Sequence, residues 1–89
     1  MGSVPIMVWE DRRNRIDPAA LRLLWEQVAD DIRGDIQSGS LPPGARLPAE
    51  QELADLYGVA RVTIRRAIAE LREEGLITVM RGRGTYVER

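Results

Sequence analysis

Gly58-Val59-Ala60-Arg61-Val62-Thr63-Ile64-Arg65-Arg66-Ala67-Ile68-Ala69-Glu70-Leu71 is the stretch whose reading decides the fold. Taken as a helix, it separates into two faces. Val62 in part, then Ile64, Ala67, Ile68 and Leu71, recur at spacings of three and four, the period of a buried helical stripe. Arg61, Thr63, Arg65, Arg66, Ala69 and Glu70 fall outside that stripe. The exposed face therefore opens with three arginines and a threonine, and no acid precedes Glu70. A helix N-terminus carries about half a positive charge on its free N–H groups and favours carboxylates. Arginines at that end work against the dipole unless an external anion is meant to sit there. Nucleic-acid phosphate is such an anion, and a recognition helix presents its N-terminal residues to base edges.

Just upstream, Pro48-Ala49-Glu50-Gln51-Glu52-Leu53-Ala54-Asp55-Leu56-Tyr57 reads as a short helix, and Gly58 can take the left-handed conformation that ends it. Two helices joined by a tight turn containing Gly form a helix-turn-helix. Downstream, Gly75 stops the second helix, Leu76-Ile77-Thr78-Val79-Met80 is a β-rich run, Arg81-Gly82-Arg83-Gly84 a turn, and Thr85-Tyr86-Val87 a second strand. The expectation is a mainly α fold with a small β hairpin. It is a winged helix-turn-helix of three helices and a two- to three-stranded wing sheet.

The first helix is predicted to start at Asp17-Pro18, with Asp as N-cap and Pro at the first helical position. Leu21, Leu24, Trp25, Val28, Ile32 and Ile36 continue as an apolar stripe, and Ser38-Gly39 ends it. Trp25 lies in that stripe and reads as core. Leu41-Pro42-Pro43-Gly44 is a rigid turn, and Ala45-Arg46-Leu47 can add one short strand beside the hairpin. Residues 1–16 read as a flexible N-terminal extension and residues 17–89 as the domain. Val4, Ile6 and Val8 alternate, but Met7 and Trp9 break the pattern, and Met1-Gly2-Ser3 can be cloning residue. The alternatives for this extension are an arm reaching a DNA groove through Arg12, Arg13 and Arg15, or an extra contact between subunits.

Residues from about Leu24 to Val87 resemble the N-terminal DNA-binding domain of the GntR family of bacterial transcription regulators. The matching stretches are Leu41 to Glu50, Glu52-Leu53-Ala54, Tyr57 to Ala67, Leu71, Glu74-Gly75-Leu76-Ile77 and Arg81 to Val87. The Tyr57-Gly58-Val59 step and the Arg-Gly-Arg-Gly-Thr wing are most similar to the HutC-like branch. The resemblance implies that Arg61 and Arg65 contact bases or the adjacent backbone and that Thr63 makes a phosphate or base contact. The chain departs from the family at three positions. Ala49 stands where Ser is frequent, Gln51 where Arg is frequent, and Ala60 where Ser or Thr is frequent. Two lost hydroxyls and one lost charge imply weaker phosphate anchoring.

The 89 residues carry a formal net charge of −1, unhelpful for a nucleic-acid binder until it is divided along the chain. Up to Tyr57 acids outnumber arginines by four, and from Gly58 onward arginines outnumber acids by three. A binding face needs local positive potential only. All thirteen basic residues are arginine, whose fork of donors matches a guanine edge or a phosphate. There is no cysteine and no histidine, which removes disulfides, zinc ribbons and the commonest general base. Asp30, Asp31 and Asp35 fit a solvated helical face better than a metal site. No long apolar run or signal peptide is present, so a cytoplasmic, non-membrane protein is expected, without catalysis or cofactor.

The candidate DNA-binding residues are Arg61, Thr63, Arg65 and Arg66 on the second helix of the motif. Arg81, Gly82 and Arg83 are the candidates at the wing tip, where arginine fits a narrow minor groove. Ala49, Glu50 and Gln51 are the candidates at the start of the shorter helix, where backbone N–H groups can hold a phosphate. Glu50 can also pair with an arginine of the next helix and orient it, and Arg66 can pair with Glu70. The reading is a DNA-binding regulator, a repressor that meets a palindromic operator in double-stranded DNA as a homodimer. Any small-molecule effector would act through a domain that is not in this sequence. The chain stops at Val87-Glu88-Arg89, so it reads either as the DNA-binding part of a longer regulator or as a short protein. The rival is a winged helix that binds protein through its acidic first helix.

Overall fold

The computed structural model describes residues 9–89. A 3-10 turn at Arg13–Arg15 precedes α1 (Leu24–Ser38), α2 (Glu50–Tyr57), α3 (Arg61–Glu73), β1 (Ile77–Met80) and β2 (Gly84–Val87). The two strands pair antiparallel, with Ile77 opposite Val87 and Met80 opposite Gly84. The run Ala45-Arg46-Leu47 joins them through a single bridge, Arg46 to Tyr86. It is pinned by Leu47 N–H to Thr85 O and Val87 N–H to Ala45 O, both 2.8 Å. Three helices and a small wing are thus arranged as the sequence patterns require. Among the described residues no helix is long and apolar enough to cross a membrane, and no group of acids could hold a metal ion.

The core forms where three stripes meet. Ile64, Ala67 and Leu71 of α3 are fully buried against Val28 and Ile32 of α1, with Leu53 and Tyr57 of α2 closing one side. Ile77 and Val87 carry the hairpin into the same core. Burying a Leu, Ile or Val side chain contributes about 1.5–3 kcal/mol, so this cluster outweighs any exposed ion pair, worth roughly 0–1 kcal/mol. The orientation of α3 is therefore set by its apolar face. Gly58 ends α2 at φ 67°, where a side chain is strained. A Cβ there would also stand 2.8 Å from the Arg13 Cγ.

The first helix does not start where the capping signals place it. Asp17 closes a local turn instead, accepting the Ala19 N–H on Oδ1 at 3.0 Å, with Ala20 N–H on its carbonyl at 3.1 Å. The Gln27 side chain then accepts from Asp17 N–H and donates to Asp17 O and Arg22 O. These bonds satisfy the backbone groups a helix would have used, and α1 begins at Leu24. Leu21, expected in the buried stripe, is fully exposed. The second helix likewise begins at Glu50 rather than Pro48. Glu52 Oε1 accepts the Ala49 N–H at 2.9 Å, while Ala49 has no side-chain acceptor, so only half of a capping box forms.

Residues 9–16, the second half of the expected extension, lie against the helices; Val4, Ile6, Val8 and Met1-Gly2-Ser3 lie outside the described residues. Arg12 is 1% exposed. Its guanidinium lies 4.2 Å from the centre of the Trp9 ring and reaches Asp31 at 2.8 Å and Asp35 at 2.7 Å. It also donates to the Tyr57 hydroxyl at 3.0 Å, and that hydroxyl donates to Asp31 at 2.6 Å. Burial, followed by the bond to Asp31, pushes the Tyr57 phenol well above its usual range. The Arg12 N–H bonds to Leu56 O at 2.8 Å, and Ile16 enters the core. Arg13 pairs with Asp11, and Arg15 with Asp31. Of the three cations read as a DNA arm, Arg12 is thus buried and Arg15 is tied to α1, while Arg13, paired with Asp11, stays exposed.

Arg12→Ala would leave Asp31 and Asp35 facing a buried gap. Removing one member of a buried ion pair costs about 3–5 kcal/mol, and the two aspartates stay about one-fifth exposed, so the low end is expected. Urea unfolding should show a loss of about 3 kcal/mol, against less than about 1 kcal/mol for the exposed Arg13→Ala control. Equal effects would mean that the segment does not brace the domain.

Candidate nucleic-acid interface

Glu50, the first residue of α2, holds both arginines that open α3. Arg61 donates from Nε and Nη2 to Glu50 Oε1 at 3.0 and 2.8 Å. Arg65 donates from Nε to Oε2 at 2.9 Å and from Nη2 to Oε1 at 3.0 Å. Arg61 and Arg65 are four apart and share a face, and α2 crosses α3 so that its N-terminus meets that face. Both arginine side chains remain more than half exposed. Exposed pairs of this kind contribute little to stability. Their consequence is geometric, because one carboxylate fixes two guanidinium forks and leaves the cluster with a net positive charge.

That cluster shifts the carboxylate. Hydrogen bonds from Arg65, then Arg61, lower the Glu50 pKa from 4.5 to about 2, and the Arg65 guanidinium is correspondingly raised. A carboxyl whose folded pKa lies below its unfolded value contributes stability above the unfolded value, lost as pH falls through the folded one. For Glu50 the window runs from about 4.5 down to about 2, so the clamp is intact through neutral pH.

The other predicted residues are placed less uniformly. Ala49 is the exposed N-cap of α2, without a side-chain cap. Gln51 is exposed but turned along its own helix, donating to Asp55 at 3.0 Å. Thr63 is half-buried in the first turn of α3, its N–H on Ala60 O. Arg66 is exposed and does not form the expected pair with Glu70. Its guanidinium instead lies 4.4 Å from the centre of the Trp25 ring on α1. Arg81, Gly82 and Arg83 form the exposed wing tip, closed by Arg83 N–H to Met80 O at 2.9 Å. Arg83 faces the outer side of the wing with Thr78, Met80 and Tyr86, so it is not gathered with Arg61 and Arg65.

A groove of about 460 Å³ runs between α3, the start of α2 and the inner face of the wing. Arg65, Ala69 and Arg72 line it along α3, Glu50 from α2, and Arg46 and Thr85 from the wing side. Arg46 and Arg72 belong to this groove although neither is among the residues that the sequence points to. The signal for Arg46 was available in its alternation with the inward-facing Ala45 and Leu47.

The arginines divide sharply. Arg12, Arg13, Arg15, Arg22 and Arg33 each pair with a carboxylate. Among the described residues, Arg46, Arg66, Arg72, Arg81, Arg83 and Arg89 form no salt bridge. The uncompensated cations therefore collect on α3, the wing and the strand beside it, despite the overall negative charge.

Residues 24–87 match the family model for bacterial regulatory proteins of the gntR family. The chain is 45% identical over 65 residues to the mannosyl-D-glycerate transport/metabolism system repressor MngR of Escherichia coli, covering 73% of this chain and 27% of that one. It is 45% identical over 64 residues to the histidine utilization repressor of Pseudomonas aeruginosa, covering 72% and 26%, in line with the HutC-like resemblance. The chain thus spans about a quarter of the length of the curated relatives it matches. The structure of the DNA-binding domain of AraR in complex with operator ORX1 superposes with a TM-score of 0.74 at 36% identity, covering 80% of this chain and 88% of that one.

The clamp is open to direct measurement. Following the Glu50 carboxyl carbon by NMR through an acid titration should give a midpoint near 2. A midpoint near the ordinary 4.5 would mean that the arginines do not hold the carboxylate in solution.

Proposed function

We propose that this chain, which belongs to the GntR family of bacterial regulatory proteins, reads double-stranded DNA with the arginine pair that Glu50 orients at the start of α3. That pair is the observation that carries the reading. Two forked donors, fixed relative to each other at a helix N-terminus, match the acceptor pattern of guanine edges in the major groove. Thr63 and Arg66 flank them on the same helix, and the backbone N–H groups of Glu50 and Gln51, next to the Ala49 cap, approach a phosphate. Arg81, Gly82 and Arg83 at the wing tip reach the adjoining minor groove.

The protein acts as a repressor in the bacterial cytoplasm. Two copies place their recognition helices in successive major grooves of a palindromic operator and so block a promoter. The repressor names of its relatives and the operator bound to the AraR domain support this reading. A small-molecule effector would act through a part of the regulator beyond these 89 residues. The domain proper takes in residues 17–89, braced by residues 9–16 through Arg12 and Ile16.

Selection of bound duplexes from a random DNA library at low salt tests the reading. An enriched palindrome is the expected result. A single enriched half-site would remove pairing on DNA, and no enrichment would remove base-specific recognition. On the selected duplex, Arg65→Ala should cost about 1–3 kcal/mol of affinity and relax preference at one base position. Unchanged affinity and preference would take Arg65 off the contact surface.

A further inference from the structure

Arg46 occupies a place in the fold that the reading above leaves unused. It sits on the strand before α2, with its backbone bridged to Tyr86 and its flanking residues hydrogen-bonded to Thr85 and Val87. That anchoring fixes its backbone between the wing and α2. Its guanidinium lies beside Gly84 at the start of β2. A Cβ on Gly84 would stand 2.9 Å from Arg46 Nε and 3.3 Å from Nη2. Gly84 also has φ 130°, so the one residue that leaves room for the guanidinium is also one whose backbone suits glycine. From there Arg46 lines the 460 Å³ groove with Arg65 and Thr85. It also lines a second, shallower one with Ala49 and Glu52. The nearby carboxylates are engaged elsewhere, Glu50 with Arg61 and Arg65 and Glu52 with the Ala49 N–H. An exposed arginine at a groove between a recognition helix and a wing, with no acid to neutralise it, suits a phosphodiester.

We propose that Arg46 is a DNA-backbone contact, seated by Gly84, that grips the phosphate strand running between the recognition helix and the wing. The proposal rests on the DNA reading of α3 and adds a residue that carries affinity without base preference.

The test compares wild type, Arg46→Ala, Arg46→Lys and Arg65→Ala on the selected operator duplex and on a scrambled duplex of the same length, across a salt series. Arg46→Ala should weaken binding several-fold on both duplexes alike. It should also reduce the slope of log affinity on log salt by about 0.9, the value of one lost phosphate contact. Arg46→Lys keeps the charge and should keep the wild-type slope. Its thermal midpoint should match wild type, because the side chain is exposed and contributes no ion pair. An unchanged slope and affinity in Arg46→Ala, with Arg65→Ala still weakening operator binding, would overturn the proposal and leave the DNA reading standing. A loss confined to the operator duplex would overturn the backbone assignment. Wild-type binding without salt dependence would overturn both.

Discussion

Ile64, Ala67 and Leu71 follow one another at three- and four-residue steps along α3, and none exposes any side-chain surface. Their burial against Val28 and Ile32 fixes the rotation of α3 about its own axis. Once that rotation is set, every polar residue of the helix has its direction assigned. Arg61 and Arg65 point toward the start of α2, Arg66 toward α1, and Arg72 into the groove beside the wing. A substitution in this stripe would therefore reach the polar face without touching it. Rotating a helix by one residue turns its surface by about 100°, enough to remove both guanidinium forks from Glu50.

The second constraint is the unequal use of charge. Most arginines before α2 are neutralised by neighbouring acids, and the buried one ties the N-terminal segment, α1 and α2 together through Asp31 and Tyr57. The pairs on α1 form a chain in which Asp30 binds Arg22 and Arg33, and Arg33 binds Glu74 at the end of α3. Acids on that side do structural work and also lower the potential away from the recognition helix. A ligand rich in phosphate would meet favourable charge from one direction only, which orients its approach. The net charge of the chain conceals this because it averages two surfaces of opposite character.

Much of this architecture was legible in the amino-acid order. The period of α3, the Gly58 turn and the hairpin after Gly75 rest on local chemistry, and all appear where they were expected. The order of residues suggests Glu50 as a partner for one arginine, and the fold gives it two. The misplacements share a cause. Asp17-Pro18 carries good local signals for a helix, but the Gln27 side chain ten residues away takes its backbone groups. Asp11-Arg12-Arg13-Asn14-Arg15 looks like a solvated basic run because the partners of Arg12 and Arg15 lie on α1 and α2, far along the chain. Helical spacing offers Glu70 to Arg66, whereas its guanidinium lies over the face of Trp25. In each case a long-range contact overrode a sound local rule, and only the packing of the helices could reveal it.

Each of the two tryptophans lies beneath a guanidinium, Trp9 under Arg12 and Trp25 under Arg66. The two cations are held differently. Arg12 is locked between two aspartates in the interior, while Arg66 is exposed and has no acid to restrain it. Indole emission responds to charge above the ring, so the two fluorophores report on separate events. Trp9 reports on the docking of Arg12, and Trp25 on the placement of the Arg66 guanidinium. The fold thereby contains its own optical readout of these two contacts, with no label added.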